Sequence, residues 1–329
     1  MALASGLGAQ LGIALETAPG TYQAPSSCLT LLNETLKEKK DKVKLKGLRP
    51  DVLVQQDGLH LDTTRHVEGD IVPIPLSKGL GKIFTLLNGL TPTPTGAGTA
   101  KTWTFPIGTS APDGKSATLQ VGVPGTDGVT QAKSVIGCVI SSLTLSMERG
   151  GALQMTANVW GADMLTEEPL VTAVYPAGAE AFGFRGSVLQ FDDAAIGSCV
   201  RSISITFTFP KATDRFCLNG SGTALTPITN DQITVTGNFE FEFSNGWTQV
   251  DAFRDSTRRK LTLTNTALTE IETGIKPQIN VEIPKFVVID DATPVVAGPD
   301  LVTMTGQFEA VAGTAPAATI TYVTTDTAL

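Results

Sequence analysis

The chain has 329 residues, with 32 acidic against 24 basic side chains and a formal net charge of −8. Hydrophobic residues make up 41% and charged residues 17%, so the chain can bury a core as two ordinary domains or one large all-β unit, and wholesale disorder is excluded. The acidic balance also excludes a protein that wraps nucleic acid through overall basicity.

The first 26 residues are rich in Gly, Ala and Pro and show little periodicity, which predicts an extended arm. Residues 37–49 follow as a basic segment with seven basic and two acidic side chains. Its net charge is +5, which leaves −13 for the rest of the chain. From Val43 the segment alternates apolar and basic residues, as a strand does. Two interpretations stay open: a solvated hairpin face, or a basic patch that meets an acidic surface on another copy.

Strand-like patterns recur along the remaining sequence, so the fold class is expected to be mainly β. The predicted strands are 51–56, 69–76, 102–107, 117–123, 135–147, 153–160, 187–191, 199–209, 232–243, 261–265, 277–289 and 301–310. The clearest alternation is Phe-Glu-Phe-Glu at residues 239–242. It predicts a strand with phenylalanines on a buried face and glutamates on a wet, acidic face.

Two segments have the apolar spacing of helices. In residues 77–90, Leu80, Ile83, Phe84 and Leu87 fall on one face. In residues 244–260, Trp247, Val250 and Phe253 do the same. A serine at the start of each segment predicts an N-cap.

The two halves resemble each other in the order of their elements. Ser77–Leu80 and Ser244–Trp247 are similar, as are Gly69-Asp70 and Gly237-Asn238, and Met155–Ala157 and Met304–Gly306. The shared order predicts a tandem duplication with a boundary near residues 169–176. The units would be residues 1–170, including the N-terminal arm, and residues 171–329. Chance similarity among β-rich segments is the alternative.

The sequence carries no recognisable catalytic motif, and we expect no enzyme activity and no cofactor or metal. It has no GxSxG elbow, Walker loop or HExxH motif. Its only histidines are His60 and His66. The acidic pairs at 192–193 and 290–291 are adjacent in sequence and are interpreted as turn residues.

The cysteines, the N-terminus and the apolar runs indicate the cellular compartment in which we expect the protein to be made. The four cysteines form no CxxC pair, which predicts buried, reduced side chains. The N-terminus lacks the basic start of a signal peptide, and the longest apolar runs are too short to span a bilayer. We therefore expect synthesis in the cytoplasm and no membrane partner.

Residues 8–22 (GAQLGIALETAPGTY) and 46–49 (KGLR) resemble the tail tube, or major tail, proteins of long non-contractile-tailed bacteriophages, especially those of actinobacterial hosts. Shorter fragments at 136–138, 175–178 and 213–215 are similar too. The resemblance implies β-sandwich or barrel units, each with one flanking helix, that close into rings. The rings stack into a tube through which double-stranded DNA leaves the capsid. It also implies a tape measure protein and tail terminator or tip proteins as partners, a place in the virion, and synthesis in the bacterial host.

The expected function is therefore a self-assembling structural virion protein, in rings of three two-unit chains or of six chains. An acidic bore would let DNA slide without specific binding, and the charge of −13 outside the basic segment could supply one. We expect some of five acids to face the bore: Asp70, Glu240, Glu242, Glu282 and Glu309. Ring-stacking candidates are Lys40, Lys42, Lys44, Lys46 and Arg49. The alternatives are a carbohydrate-binding or adhesin-like β-sandwich module, another virion structural protein, and a β-rich hydrolase.

Overall fold

The computed structural model describes residues 5–47, 50, 53–54, 57–109, 112–196, 199–218, 222–243, 247, 250–251, 254–290, 293–294, 296, 298–299, 301–313 and 316–328. Within them the first-half strands are β1 (Gln10–Leu15), β2 (Ser27–Leu29), β3 (Leu31–Glu34), β4 (Lys37–Lys44), β5 (His60–Pro73), β6 (Lys101–Ile107), β7 (Ala117–Pro124), β8 (Thr130–Glu148), β9 (Gln154–Gly161) and β10 (Asp163–Leu165). The second-half strands are β11 (Ser187–Phe191), β12 (Ala194–Ala195), β13 (Val200–Thr208), β14 (Lys211–Ala212), β15 (Ile228–Thr229), β16 (Thr234–Glu242), β17 (Arg259–Thr266), β18 (Gln278–Val288), β19 (Thr303–Ala310) and β20 (Ala318–Thr324). The mainly β fold expected from the sequence is confirmed.

All the strands except β14 and β15, which form a separate pair, belong to one large antiparallel sheet system. An eight-strand ladder runs through it, in which β3 and β4 share the first place and β5, β9, β8, β13, β16, β19 and β18 follow in that order. Two further groups of strands branch from this ladder. The first half of β8 pairs with β7 and β10, and β7 pairs with β1. The first half of β18 pairs with β20, β18 pairs with β17 from Gln278 to Phe286, and β17 pairs with β11.

The long strand β8 bends where it passes from one group of partners to the other. Gly137 has φ +64°, in the left-handed region that favours glycine. A Cβ at this position would lie 2.8 Å from the Cβ of Ala162. The register with β7 also shifts between Ala117 and Leu119. The bend lets one strand belong both to the ladder and to the β7 branch.

The extended arm predicted for the first 26 residues is wrong for residues 10–15. They form β1, which lies between β2 and β7 with Leu11 and Ile13 fully buried. The next residue, Glu16, is a buried carboxylate that accepts hydrogen bonds from Ser116 Oγ, Thr118 Oγ1 and the backbone N–H groups of Gly20 and Gly137 at 2.6–3.0 Å. Four donors compensate its desolvation, so this carboxylate fixes the end of β1 within the core.

The first predicted helix is shorter than residues 77–90. Helix α1 spans Gly81–Asn88 and ends at Gly89, which has φ +72° as a left-handed cap. Ser77 is not its N-cap, because Leu80 holds that position and the Ser77 hydroxyl instead accepts from the N–H of Glu180. Phe84 of α1 packs against Phe105 of β6 and Tyr322 of β20.

Several other predictions fall partly outside the described residues. The second predicted helix has helical backbone at Val250, Asp251 and Arg254, but its proposed cap Ser244 lies outside the described residues, and by Arg259 the chain is already in β17. Of the strand predicted at 51–56, only residues 53 and 54 are described, and neither is in a strand. The strands β1, β2, β3 and β20 were not predicted.

The main hydrophobic core lies on one side of the ladder. The predicted Phe-Glu alternation on β16 is confirmed, with Phe239 and Phe241 buried and stacked at 4.8 Å between ring centroids. Phe191, Phe286 and Phe308 complete a cluster of rings around them. Gly237 makes room for this cluster, because a Cβ there would lie 2.5 Å from the ring of Phe308.

Candidate functional site

The side of the ladder opposite the core is the candidate functional surface, and we call it the polar face. Strand alternation places its residues in rows that run from strand to strand. One row is Thr156, Thr144, Thr206, Thr236 and Glu309. The next is Gln154, Ser146, Ser204, Asn238 and Gln307. A third is Glu148, Ser202, Glu240 and Thr305. These rows contain hydroxyls, amides and carboxylates and no lysine or arginine.

Contacts between neighbouring strands order these short side chains. The hydroxyls of Thr144 and Thr206 lie 3.0 Å apart across the β8–β13 pair. The Asn158 amide donates to the Asp70 carboxylate at 2.8 Å, and the Ser141 hydroxyl donates to Asn158. All of these residues are half-buried or exposed. The polar face is therefore a solvent-accessible surface of short polar side chains, some of which are ordered by cross-strand hydrogen bonds.

Four of the five acids predicted for a lumen belong to this face. Asp70 lies on β5, Glu240 and Glu242 on β16, and Glu309 on β19, each at a position that alternates with buried residues. Glu282 is different, because it lies on the part of β18 that pairs with β17 and β20, outside the ladder. There its carboxylate is 3.3 Å from the Lys260 ammonium group.

Sequence reasoning missed two acids of the same face, Glu68 and Glu148. Glu68 precedes Asp70 by two residues on β5, so the same alternation could have found it. Glu148 ends β8 opposite Ser202, a pairing that no local pattern reveals. Basic side chains border the face: Lys39 is 3.1 Å from Glu68, and Arg201 is 3.4 Å from Glu240. The carboxylates are thus partly neutralised at the margins.

The basic segment forms a projecting hairpin of β4 and the first half of β5. All eight residues of β4 are exposed, including Lys40, Lys42 and Lys44. Lys40 forms a 2.6 Å ion pair with Asp62, and its ammonium group lowers the pKa of that carboxyl. Lys46 follows β4 and is exposed, whereas Arg49 lies outside the described residues. The strand begins at Lys37, earlier than the alternation from Val43 had predicted.

The hairpin has two different faces. Lys42 pairs with Asp62 and Lys44 with His60, which gives a charged face. The intervening Val43 pairs with Leu61 on the opposite face. These two apolar side chains are 44% and 46% exposed, and Leu45 just beyond is 48% exposed. One side of the hairpin is therefore basic, and the other is apolar and open to solvent.

The connection between β13 and β16, residues 209–233, behaves differently from this hairpin. It contains the short pair β14–β15 and folds back over β5 and β9. Phe216 and Ala224 cover Trp160, which is only 4% exposed, together with Val139 and Ala162. His66 stacks on the Trp160 ring at 5.9 Å between centroids.

An ion pair anchors this connection at its base. The Asp113 carboxylate accepts hydrogen bonds from Lys211 Nζ at 3.1 Å and from both the N–H and the hydroxyl of Thr229 at 2.9 Å. Burial alone would raise the pKa of Asp113, but the hydrogen bonds from Thr229 and Lys211 outweigh it and lower the pKa. Burial lowers the pKa of Lys211, and the contact with Asp113 offsets part of that shift.

The other acidic and cysteine residues considered in the sequence analysis lie in a turn, in ion pairs or as free thiols. Asp192 and Asp193 have φ +52° and +62°, as the two-residue turn of a hairpin requires, so the turn interpretation is confirmed for this pair. They pair with Arg259 and Lys260 at 2.7 and 2.8 Å. In the second acidic pair, Asp291 lies outside the described residues. The prediction of buried cysteines is correct for Cys28 and Cys138 and wrong for the exposed Cys199 and Cys217, and all four are free thiols.

Neither a metal site nor a membrane span is found in the described part of the chain. No three His, Cys, Asp or Glu side chains in those ranges lie close enough together to hold a metal ion. Nor is any helix among them of the length and apolarity needed to cross a bilayer. The polar face and the hairpin are thus the features of the described residues with the clearest functional character.

A family model described as "Phage tail tube protein" matches residues 6–324, nearly the whole chain. The chain belongs to the phage tail tube protein family. The resemblance seen in the sequence is therefore confirmed, and the tail tube protein is a structural component of a phage virion. No curated protein matches the chain.

Proposed function

We propose that three copies of this tail tube protein close into a ring, and that stacked rings form the conduit for double-stranded DNA during ejection. Each chain would supply two units, residues 1–170 and 171–329. The tail tube protein would act without catalysis, in a virion assembled in the host bacterial cytoplasm. A tape measure protein and tail terminator or tip proteins would be its other partners.

The recurrence of strand pairings supports the two-unit interpretation. β1 pairs with β2 and β7, and β11 pairs with β12 and β17. Likewise β5, β9 and β8 pair in the same order as β16, β19 and β18. Gly69 on β5 faces Val159, and Gly237 on β16 faces Phe308, so the glycines noted in the sequence hold the same place.

The ladder has the dimensions of one third of a tube wall. Three copies of its eight strands would give about 24 strands, which at about 4.8 Å each make a circumference of about 115 Å. The bore would then be about 37 Å wide before strand tilt is considered. A ring of this kind also removes the exposed strand edges that otherwise cause aggregation.

The β8–β13 pairing indicates how neighbouring copies could join. It links the first half of the chain to the second through seven residue pairs, from Ser202–Glu148 to Thr208–Ser142. In the first half, β3 and β4 hold the position that β13 holds in the second, and in the described part of the chain their outer edge has no strand partner. We propose that this edge pairs with the end of β18 of the next copy.

The polar face would line the bore. DNA carries one negative charge per roughly 1.7 Å of duplex axis, so a basic wall would hold it. Hydroxyls, amides and the carboxylates of Asp70, Glu240, Glu242 and Glu309 would repel it weakly and let it slide. The polar face carries this proposal, because its named rows lack basic residues although the chain has 24 of them.

The basic face of the hairpin would contact the neighbouring ring, through Lys40, Lys42, Lys44 and Lys46 and, in the sequence-based proposal, Arg49. A hairpin that projects from the body with one charged side is suited to such a contact. The alternative of a carbohydrate-binding module has less support, because Trp103 and Trp160 are 3% and 4% exposed, which leaves Trp247, at 54% exposure, as the one tryptophan that could contribute to an aromatic platform.

Native mass spectrometry of the purified assembly tests this proposal. It predicts particles whose smallest closed ring has the mass of three chains of 34.4 kDa each. A monomer at every concentration and salt would reject self-assembly, and a six-chain ring would reject the two-unit interpretation. Negative-stain microscopy of the same sample should show rings or tubes.

A further inference from the structure

Residues 209–233 fold over Trp160 in the first half of the chain, and the second half contains a position that corresponds to Trp160. The two regions can be aligned through their backbone hydrogen bonds. Ala162 N–H donates to Ile136 O at 2.9 Å, and Val311 N–H donates to Lys285 O at 2.9 Å. Trp160 pairs with Val139 and Glu68, and Glu309 pairs with Val287 and Thr236. Thus Val287, Glu309 and Val311 occupy the places of Val139, Trp160 and Ala162.

The two sets differ in how they are covered. Val139, Trp160 and Ala162 are buried beneath Phe216 and Ala224, with at most 6% of each exposed. Val287, Glu309 and Val311 are only partly buried, and the nearby Ile289 is 49% exposed. We call Val287, Ile289, Glu309 and Val311 the open patch. An apolar patch beside a carboxylate suits a partner that is apolar and basic.

The hairpin of β4 and β5 corresponds to the segment that covers Trp160. The hairpin connects β4 to β5 in the way that residues 209–233 connect β13 to β16. In both connections strand pairing continues beyond the ladder, through the ends of β4 and β5 in the first and through β14–β15 in the second. Yet its apolar side chains Val43 and Leu61 stay nearly half-exposed. The β5 strand of the hairpin pairs at Arg65 with Gly222 and Thr223, but around Val43 and Leu61 the described residues form only two strands. A two-stranded hairpin is marginally stable in water unless a face is packed.

We propose that the apolar face of this hairpin docks on the open patch of the neighbouring copy in the same ring. The proposal rests on the three-chain ring, and it gives the two faces of the hairpin separate roles. Val43 and Leu61 reach sideways to Val287 and Val311 of the next chain, in the way that Phe216 reaches Trp160 within one chain. The lysines on the opposite face remain available to the ring above or below. The basic hairpin and Glu309 are electrostatically complementary, and docking would withdraw Glu309 from the bore wall while leaving Asp70, Glu240 and Glu242 toward the lumen.

Crosslinking tests this docking. Cysteines at Val43→Cys and Val311→Cys, in a background with Cys199→Ser and Cys217→Ser, are treated with a short bismaleimide after assembly. Docking within a ring predicts covalent dimers and trimers and a ladder that stops at three chains. The matched control moves the first cysteine one residue to the charged face, as Lys44→Cys with Val311→Cys, and should crosslink far less.

The possible failures can be distinguished. A ladder that runs past three chains would place the hairpin against another ring and overturn the inference. Uncrosslinked chains in a sample where microscopy shows rings would overturn it as well, while the proposed ring stands. Unassembled chains under all conditions would reject the ring itself and the docking with it. Both substituted sites are at least partly exposed, so thermal unfolding should match that of the background protein.

Discussion

The hairpin of β4–β5 and the connection at residues 209–233 join equivalent strands but have different surroundings. The second connection buries Phe216 against Trp160 of the first half and is anchored by Asp113 and Lys211. The first leaves Val43 and Leu61 in solvent. In the proposed two-unit arrangement the difference follows from position, because residues 209–233 pack on the first half of the same chain, whereas the surface proposed for the hairpin belongs to a neighbouring copy. Within one chain, Phe216 therefore has its contact and Val43 and Leu61 do not.

The largest effect is expected at Trp160, the residue that Phe216 covers. Trp160→Ala should lower the free energy of unfolding by about 3–5 kcal/mol, because it empties a fully packed site. Glu309→Ala, at the equivalent position of the open patch, should change it little in the isolated chain. Denaturant unfolding of both variants measures this contrast. Similar losses for both would mean that the two positions are equally packed.

A smaller effect is expected from the covering residues. Phe216→Ala should cost about 1–2 kcal/mol, less than for a fully buried ring because Phe216 is only partly buried. Val43→Ala should leave the stability of the isolated chain unchanged and reduce the fraction of chains found in rings. Unfolding curves and size-exclusion profiles at matched concentrations separate the two results. A destabilised Val43→Ala monomer would show that the hairpin packs within its own chain.

The basic face should affect tubes and leave rings intact. Reversing the charges of Lys40, Lys42 and Lys44 to glutamate should shorten or abolish tubes, since ring-to-ring contacts would then meet like charges. Rings of three chains should persist, because the apolar face is unchanged. Tube length in electron micrographs provides the measurement, with Lys101→Glu on β6 as a charge control. Tubes of normal length would contradict the stacking role.

The smallest effect is expected at acidic pH, at the Asp113–Lys211 ion pair that anchors residues 209–233. The pKa of Asp113 is lowered in the folded chain, so its contribution to stability is present above the ordinary carboxyl pKa and is lost as the pH falls through the lower folded value. The protection of residues 211–229 against hydrogen exchange, relative to the intrinsic exchange rate at each pH, should therefore fall in acid, below about pH 4. Asp113→Asn should have lower protection at neutral pH and lose that dependence. An unchanged pH profile in Asp113→Asn would exclude this anchor.

Prediction from the sequence was most accurate where the residues of a single strand alternate between the core and the opposite, polar face. The Phe-Glu alternation at residues 239–242 is local, so it indicated both the core and the acidic side of β16. Strand β1 was missed because residues 11–14 are buried on both faces and show no alternation. Strand β20 alternates buried and half-buried residues, so its signal was present but was not used.

The polar face could be predicted only in part, because rows of residues across a sheet depend on register between distant strands. Asp70 and Glu240 could be selected from their own strands, but the position of Glu282 outside the ladder depends on which strands flank each half of β18. The contact between Phe216 and Trp160 joins segments more than 50 residues apart. No local pattern encodes it.

The most direct test of the account is a cryo-electron microscopy reconstruction of the assembled tube at side-chain resolution. The account predicts three chains per ring and a bore wall formed by the polar face, with Asp70, Glu240 and Glu242 toward the lumen, Glu309 beneath the docked hairpin of the next chain, and Glu282 away from the bore. A bore lined by other surfaces, or with a positive potential from the hairpin lysines, would contradict it.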